Sequence, residues 1–414
     1  MKMKQIKIKQ LLLGTSLFLA GVSVFAQETS TNKEGSSYKF EKIAHLDATP
    51  VLSQGGTGTC WSFSAMSFFE SELIRMGKKG YDLSEMYIVY QAYLGKADKY
   101  IRTDGNTNFD QGGAFHDIPW VIKRFGIVPT SAFSGLNYGS ETHSHSELYA
   151  VLDGAVEGVL KARNELPKNQ GLSPAWIKAI RGVLDAYLGA VPEKTEDFKF
   201  KVDGKEYNPI SYRDELGLNM DDYVSLTSFS NHPFNQECQL AIADNWVWDN
   251  SYNVPLDELW KAAEYALNKG FTFAWGADVS ENYFDYRSGL AVVPKDKSTI
   301  VVSGRDNKNF SDAGAEKQAN CFMEPVEEEV ITQESRQKGY DSKLTTDDHG
   351  MHAVGLYKDQ NGKKYLLVKN SWGTSNPCGG YLYVSEAYFK YKTINIYVHK
   401  DGMSKELKKK LNIQ

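Results

Sequence analysis

Apolar residues recur along this chain at two periods, and the change from one to the other marks out its elements. At helical spacing, Trp61, Phe63, Met66, Phe68, Phe69, Leu73 and Met76 predict a helix that begins just after Cys60 and stops near Gly77. Leu83 to Tyr90 predicts the start of a second, capped by Ser84 or Asp82, and Asp117 to Phe125 a third, stopped by Gly126. Leu148 to Arg163, Pro174 to Leu188 and Leu256 to Leu267 carry the same period. Tyr223 to Ser228, Phe271 to Gly276, Asp348 to Tyr357 and Tyr365 to Gly373 read instead as strands. The last two are joined at Asp359-Gln360-Asn361-Gly362, and Asn-Gly is a strong hairpin signal. Phe198–Val202 and Glu206–Tyr207 flank Asp203-Gly204 as a smaller hairpin, and Trp246 and Trp248 alternate with polar residues as a packed strand would. No internal repeat is found.

The first residues follow a different logic. Lys2, Lys4, Lys7 and Lys9 precede a mostly apolar run from Leu11 to Phe25, and Val24-Phe25-Ala26 before Gln27 fits a cleavage site. Residues 1–26 are therefore expected to be a secretory signal peptide rather than a membrane anchor. No cysteine follows the run, so a lipoprotein anchor is unsupported. The expected location is periplasmic or extracellular. Removing that segment takes four lysines from the 47 basic residues and leaves 43 against 52 acidic ones, a mildly acidic chain that argues against a nucleic-acid partner.

With 41% hydrophobic and 13% aromatic residues the chain can bury a core, which excludes disorder. Only Cys60, Cys238, Cys321 and Cys378 occur, so this is no disulfide scaffold. If Cys60 stays a free thiol, at most one pair can form; Cys321 with Cys378 is a candidate that sequence does not decide. His143 and His145 in a polar loop, and Asp347, Asp348 and His349 beside His352, are read as solvated or otherwise engaged rather than as a metal site. No cofactor is called for.

The candidate chemistry gathers on Cys60. The run Ser53-Gln54-Gly55-Gly56-Thr57-Gly58-Thr59-Cys60 places this thiol where a loose loop becomes a helix. Unpaired N–H groups and the positive end of the helix dipole favour an anion there, and a thiolate is the anion that nucleophilic chemistry needs. Such a thiol requires a base, and a third group to orient that base. The predicted hairpin presents His352 and Asn370 on paired strands, far from Cys60 in sequence, as such sets usually are.

Gln54, Cys60-Trp61, His352-Ala353 and Asn370-Ser371-Trp372-Gly373 resemble the papain-type cysteine peptidases. The long span between Cys60 and His352 resembles their bleomycin hydrolase and aminopeptidase C branch. So do Asp222-Tyr223-Val224-Ser225-Leu226, Asn253-Val254-Pro255-Leu256-Asp257 and Tyr381 to Phe389. The resemblance implies an α+β, papain-like fold of two lobes, a helical one with the nucleophile and a β-barrel-like one with histidine and asparagine. It implies a peptidase domain over residues 44–400 with a helical insertion at about 135–250, after a flexible lead at 27–43 and before a basic tail at 401–414. Gln54 and the Cys60 N–H would form the oxyanion hole. Gly112 and Gly113 would line the substrate wall, Met351 would border the pocket, and Trp372 would shield the base.

The activity implied is hydrolysis of peptides through a Cys60 acyl-enzyme, most simply as an aminopeptidase. An endopeptidase or dipeptidyl peptidase is the alternative, and a silent binding protein of the same fold the reading from another class. Relatives in the branch form rings, so a homo-oligomer is compatible. In those relatives a C-terminal arm measures the substrate, whereas here the residues after Tyr397-Val398-His399-Lys400 are few and lysine-rich, which puts that ruler in doubt.

Overall fold

The computed structural model describes residues 29–78, 80–167, 169–303 and 316–414; the expected signal segment lies outside them. Helices α1 (Cys60–Arg75), α2 (Glu85–Arg102) and α3 (Asp117–Phe125) build one lobe, joined by α4 (Ser146–Glu165), α5 (Ala175–Leu188) and α6 (Pro209–Leu216). Helix α1 is buried from Cys60 to Leu73, all round, because it runs between the other helices and the sheet. Ser84 caps α2 by accepting from the Tyr87 N–H, as its place before the apolar run predicts. Phe68, Phe69, Met86, Tyr90 and Ile118 are among the residues that join these helices in one apolar core.

The other lobe is a sheet whose centre is antiparallel. Strand Tyr223–Thr227 pairs with Thr393–His399, which pairs with Phe273–Ala277, then His349–Lys358, Lys364–Lys369 and Tyr381–Ser385. Helices α7 (Leu256–Asn268), α8 (Gln333–Asp341), α9 (Glu386–Lys392) and α10 (Lys405–Lys410) lie outside this sheet, and Leu259, Trp275, Met351, Leu366 and Phe389 share its second apolar core. The expected α+β arrangement of two lobes is what the chain adopts.

Four expectations are corrected. Residues 29–43, read as part of a flexible lead, are instead tied down: Thr29–Ser30 pairs with Phe40–His45, which itself adds to the His349 strand. Buried Asn32 holds the carbonyls of Ser288 and Phe322 through Nδ2, and Tyr38 and Phe40 pack in a third core. Trp246 and Trp248 sit in a loop; Trp246 is buried against Trp120, whereas Trp248 is exposed beneath the Lys99 ammonium. His145 is wholly buried rather than solvated. The lysine-rich end is not simply a solvated helix, since Leu407 and Leu411 enter the second core and Lys410 pairs with Glu258 of α7. All four cysteines are free, so Cys321 and Cys378 do not pair.

Candidate active site

Cys60 is the first residue of α1, and the first backbone N–H groups accepted within the helix are those of Ser62 and Phe63, both by the Thr59 carbonyl. The amides of Cys60 and Trp61 are therefore left to face outward. Gly350 brings the sheet up to this helix end. A Cβ there would stand 2.9 Å from Ser64 Oγ and 3.1 Å from the Trp61 Cα, so only glycine lets the strand approach so closely. The N–H groups of Gly350 and Trp61 both favour the Cys60 thiolate, against a burial that pushes the thiol up to about 12.

The histidine that meets Asn370 is His349, not His352. His349 Nε2 donates to Asn370 Oδ1 at 2.7 Å, which leaves Nδ1 as the nitrogen available to the cavity that His349 and Cys60 both line. Asn370 Oδ1 also accepts from the Ser371 N–H at 2.8 Å, so two donors fix its orientation. The indole of Trp372 lies over the His349 ring, 4.6 Å between centroids and inclined by 33°, and Tyr286 and Phe284 pack around it. Trp372 thus covers the imidazole–amide bond and does not line the substrate cavity. Burial pushes the His349 imidazole down to about 4, with the Asn370 bond acting against that.

His352 is fully buried behind this pair. Its Nδ1 lies 2.9 Å from Ser67 Oγ, which accepts from Lys369 Nζ at 2.7 Å, and its ring packs edge-on against Phe68. Burial and the neighbouring ammonium of Lys369 hold its imidazole well below the usual range. Counted back from the pair Lys358↔Lys364 beside the turn, regular pairing would oppose His352 to Asn370. The strand carries a bulge between Ala353 and Gly355, and the shift opposes His352 to Lys369 instead. Because successive side chains point to opposite faces, His349 and Met351 then share the Asn370 face while His352 turns toward α1. Met351 itself is fully buried against the second core and does not border the pocket as expected.

The cavity occupies about 800 Å³ between the lobes and is lined by Gln54, Cys60, Gly112, Gly113 and His349, with Asp244, Asp347 and Asp348 at its side. Gln54 is held at both ends of its amide: Nε2 donates to the Thr57 carbonyl at 2.7 Å, and Oε1 accepts from Ser371 Oγ at 2.6 Å. The second hydrogen on Nε2 remains for a ligand beside the Cys60 amide. Gly112 and Gly113 do line the cavity, and neither has room for a side chain. A Cβ on Gly112 would meet Asp244 Oδ2 at 2.3 Å, and one on Gly113 the Trp61 ring at 2.6 Å.

A buried thiol at a helix N-terminus, an oriented imidazole and paired amide donors around one cleft define a site for attack on a carbonyl. A family model described as the Peptidase C1-like family matches residues 12–295 and 316–414, and the chain belongs to that family. It is similar to Aminopeptidase G of Lactobacillus delbrueckii subsp. lactis, 23% identical over 401 residues that span 87% of this chain and 83% of the relative. It is similar also to Aminopeptidase C of Listeria innocua serovar 6a, 24% identical over 427 residues, 96% of this chain and 90% of the relative. The solved structure of pepw from Lactobacillus rhamnosis hn001 shares the fold, with a TM-score of 0.66 at 20% identity over 90% of this chain and 84% of that one.

Proposed function

We propose that this protein is a cysteine peptidase that removes residues from the free N-terminus of peptides. The hydrogen bond from His349 Nε2 to Asn370 Oδ1, beside Cys60 in one cleft, carries the reading. His349 Nδ1 holds the Cys60 proton, so that the thiolate of this ion pair attacks the carbonyl carbon and the imidazolium then gives the proton to the leaving amine. Water activated by His349 releases the acyl group. Asn370 holds the imidazole in one tautomer without adding a negative charge, and Gln54 Nε2 and the Cys60 N–H receive the oxyanion. The relatives named aminopeptidases support the choice of free N-termini.

The test is hydrolysis of matched fluorogenic peptides with free and acetylated N-termini under mild reductant, with Cys60→Ala as blank. Preferential release from the free-amine substrate is expected. Equal cleavage of both would make the protein an endopeptidase, and no cleavage of either would defeat the peptidase reading. Export is proposed on the pattern of residues 1–26. Mass spectrometry of the protein recovered outside the cytoplasm should then find Gln27 at its N-terminus; recovery of Met1 there would overturn it.

A further inference from the structure

The wall that carries Gly112 and Gly113 belongs to no helix or strand, so no regular pairing keeps its backbone in place. Three successive carbonyls in it are nevertheless taken, each by a side chain. Lys96 Nζ donates to the Asp110 carbonyl at 2.9 Å and also to the Gly112 carbonyl. Between them, the Gln111 carbonyl accepts from Trp61 Nε1 at 3.1 Å. Gln111 Oε1 in turn accepts from the Gly58 N–H at 2.9 Å, which ties the wall to the loop that enters the nucleophile.

Lys96 is the centre of this tie. It lies on α2, is only 2% exposed and does not line the cavity, so its ammonium meets the wall from behind. The rings of Trp61 and Tyr93 flank it, with centroids 5.7 and 5.8 Å from Nζ. Burial pushes the Asp117 and Asp244 carboxyls up, and the Lys96 ammonium acts on both in the opposite sense.

Peptide geometry gives this contact a direction. In a planar trans peptide the C=O and the N–H of one unit point opposite ways. The unit joining Gly112 to Gly113 turns its oxygen back to Lys96, so its N–H is turned away from α2, on the side where Gly113 lines the cavity. Neither that N–H nor the Gly113 carbonyl has a backbone partner among the described residues. An extended peptide laid along the wall would bond to them as an added strand. An ammonium on the carbonyl also polarises the peptide unit, which makes its N–H a stronger donor.

We propose that Lys96 is a positioning residue for substrate binding, holding the Gly112 carbonyl back so that the Gly113 N–H faces the peptide backbone in the cleft. This rests on the peptidase reading given above. Lys96 touches neither the substrate nor the reacting atoms. Its effect belongs to binding that the ground and transition states share, and so to KM rather than to kcat.

The test compares Lys96→Met with the unaltered protein in two assays. One is steady-state hydrolysis of the free-amine fluorogenic peptide; the other is alkylation of Cys60 by iodoacetamide, a small reagent that needs no wall. KM is expected to rise by about 10-fold or more, with kcat and the alkylation rate within a few-fold of the original. Lys96→Gln keeps a neutral donor and should raise KM less; by the same two readouts it carries the test where the methionine variant does not fold. A fall in kcat and in alkylation with KM unchanged would mean a general loosening of the site and would overturn the proposal. So would recovery of KM in the double variant Lys96→Met, Asp244→Asn, because the ammonium would then act only by offsetting that carboxylate. If the unaltered protein is alkylated but cleaves no peptide, the peptidase reading fails and takes the proposal with it, which is a different result.

Discussion

Alanine in place of His349 is expected to lower kcat/KM by about 1,000-fold or more, whereas replacing His352 should leave turnover per folded molecule within a few-fold of the original. The two histidines stand on the same strand, yet only His349 lines the cavity and meets Asn370. Without it, Cys60 has neither a proton acceptor nor a cation beside its thiolate, and burial, with Asp244 and Asp347, raises the thiol unopposed by an imidazolium. His352 faces Ser67, Phe68 and Lys369. Its loss should appear as lower stability, on the order of 1–3 kcal/mol, because Ser67 Oγ and the Lys369 ammonium lose a buried neighbour. Steady-state kinetics and thermal melts of His349→Ala and His352→Gln separate the two roles. Comparable inactivation of both variants, with His352→Gln as stable as the parent, would contradict the assignment.

Gln54→Ala should cost about 100- to 1,000-fold, chiefly in kcat, because its amide donates where charge develops rather than where the substrate is first held. The side chain is clamped by Thr57 and Ser371 and is almost fully buried, so it is already in position before substrate arrives. Gln54→Glu tests the same point with the size preserved: a carboxylate supplies no donor and repels the oxyanion, so it should be at least as damaging as alanine. A rise in KM with kcat unchanged would show that Gln54 binds the ground state and is no oxyanion donor.

The sequence makes the nucleophile and its surroundings legible because they depend on local features. A glycine-rich loop entering an apolar helix puts Cys60 at a helix N-terminus, and Asn370-Ser371-Trp372 after an apolar strand places the amide and its aromatic cover. Gly112 and Gly113 were carried by the resemblance, and their need for glycine shows only in the fold, where neither position admits a Cβ. The base could not be read this way. Its identity depends on strand register, and a bulge of one residue at Ala353–Gly355 exchanges the faces of the strand on which both His349 and His352 lie. The bulge has no strong local signature beyond Gly355 itself, whose missing Cβ would sit 3.0 Å from the Ala44 carbonyl. One signal was present in the sequence: histidines at an odd separation on a strand cannot both face one partner.

Asp244 was equally hidden. It lines the cleft from the loop between two short strands, where Trp246 donates to Asp117 of α3. The tie-down of residues 29–43 escaped because their partners, Ser288, Phe322 and Lys358, are hundreds of residues away. Long-range contacts of this kind leave no period in the chain.

The pairing of Cys60 with His349 is tested most directly by the pH dependence of Cys60 alkylation with iodoacetamide, measured on the unaltered protein, His349→Ala and His352→Gln. A thiolate held by imidazolium reacts through the neutral range and into the acid one. That profile is expected for the unaltered protein and for His352→Gln. In His349→Ala the reaction should survive only at alkaline pH, because burial raises the thiol and no imidazolium remains to offset it. An alkaline-only profile in His352→Gln, with His349→Ala still reactive at neutral pH, would contradict it.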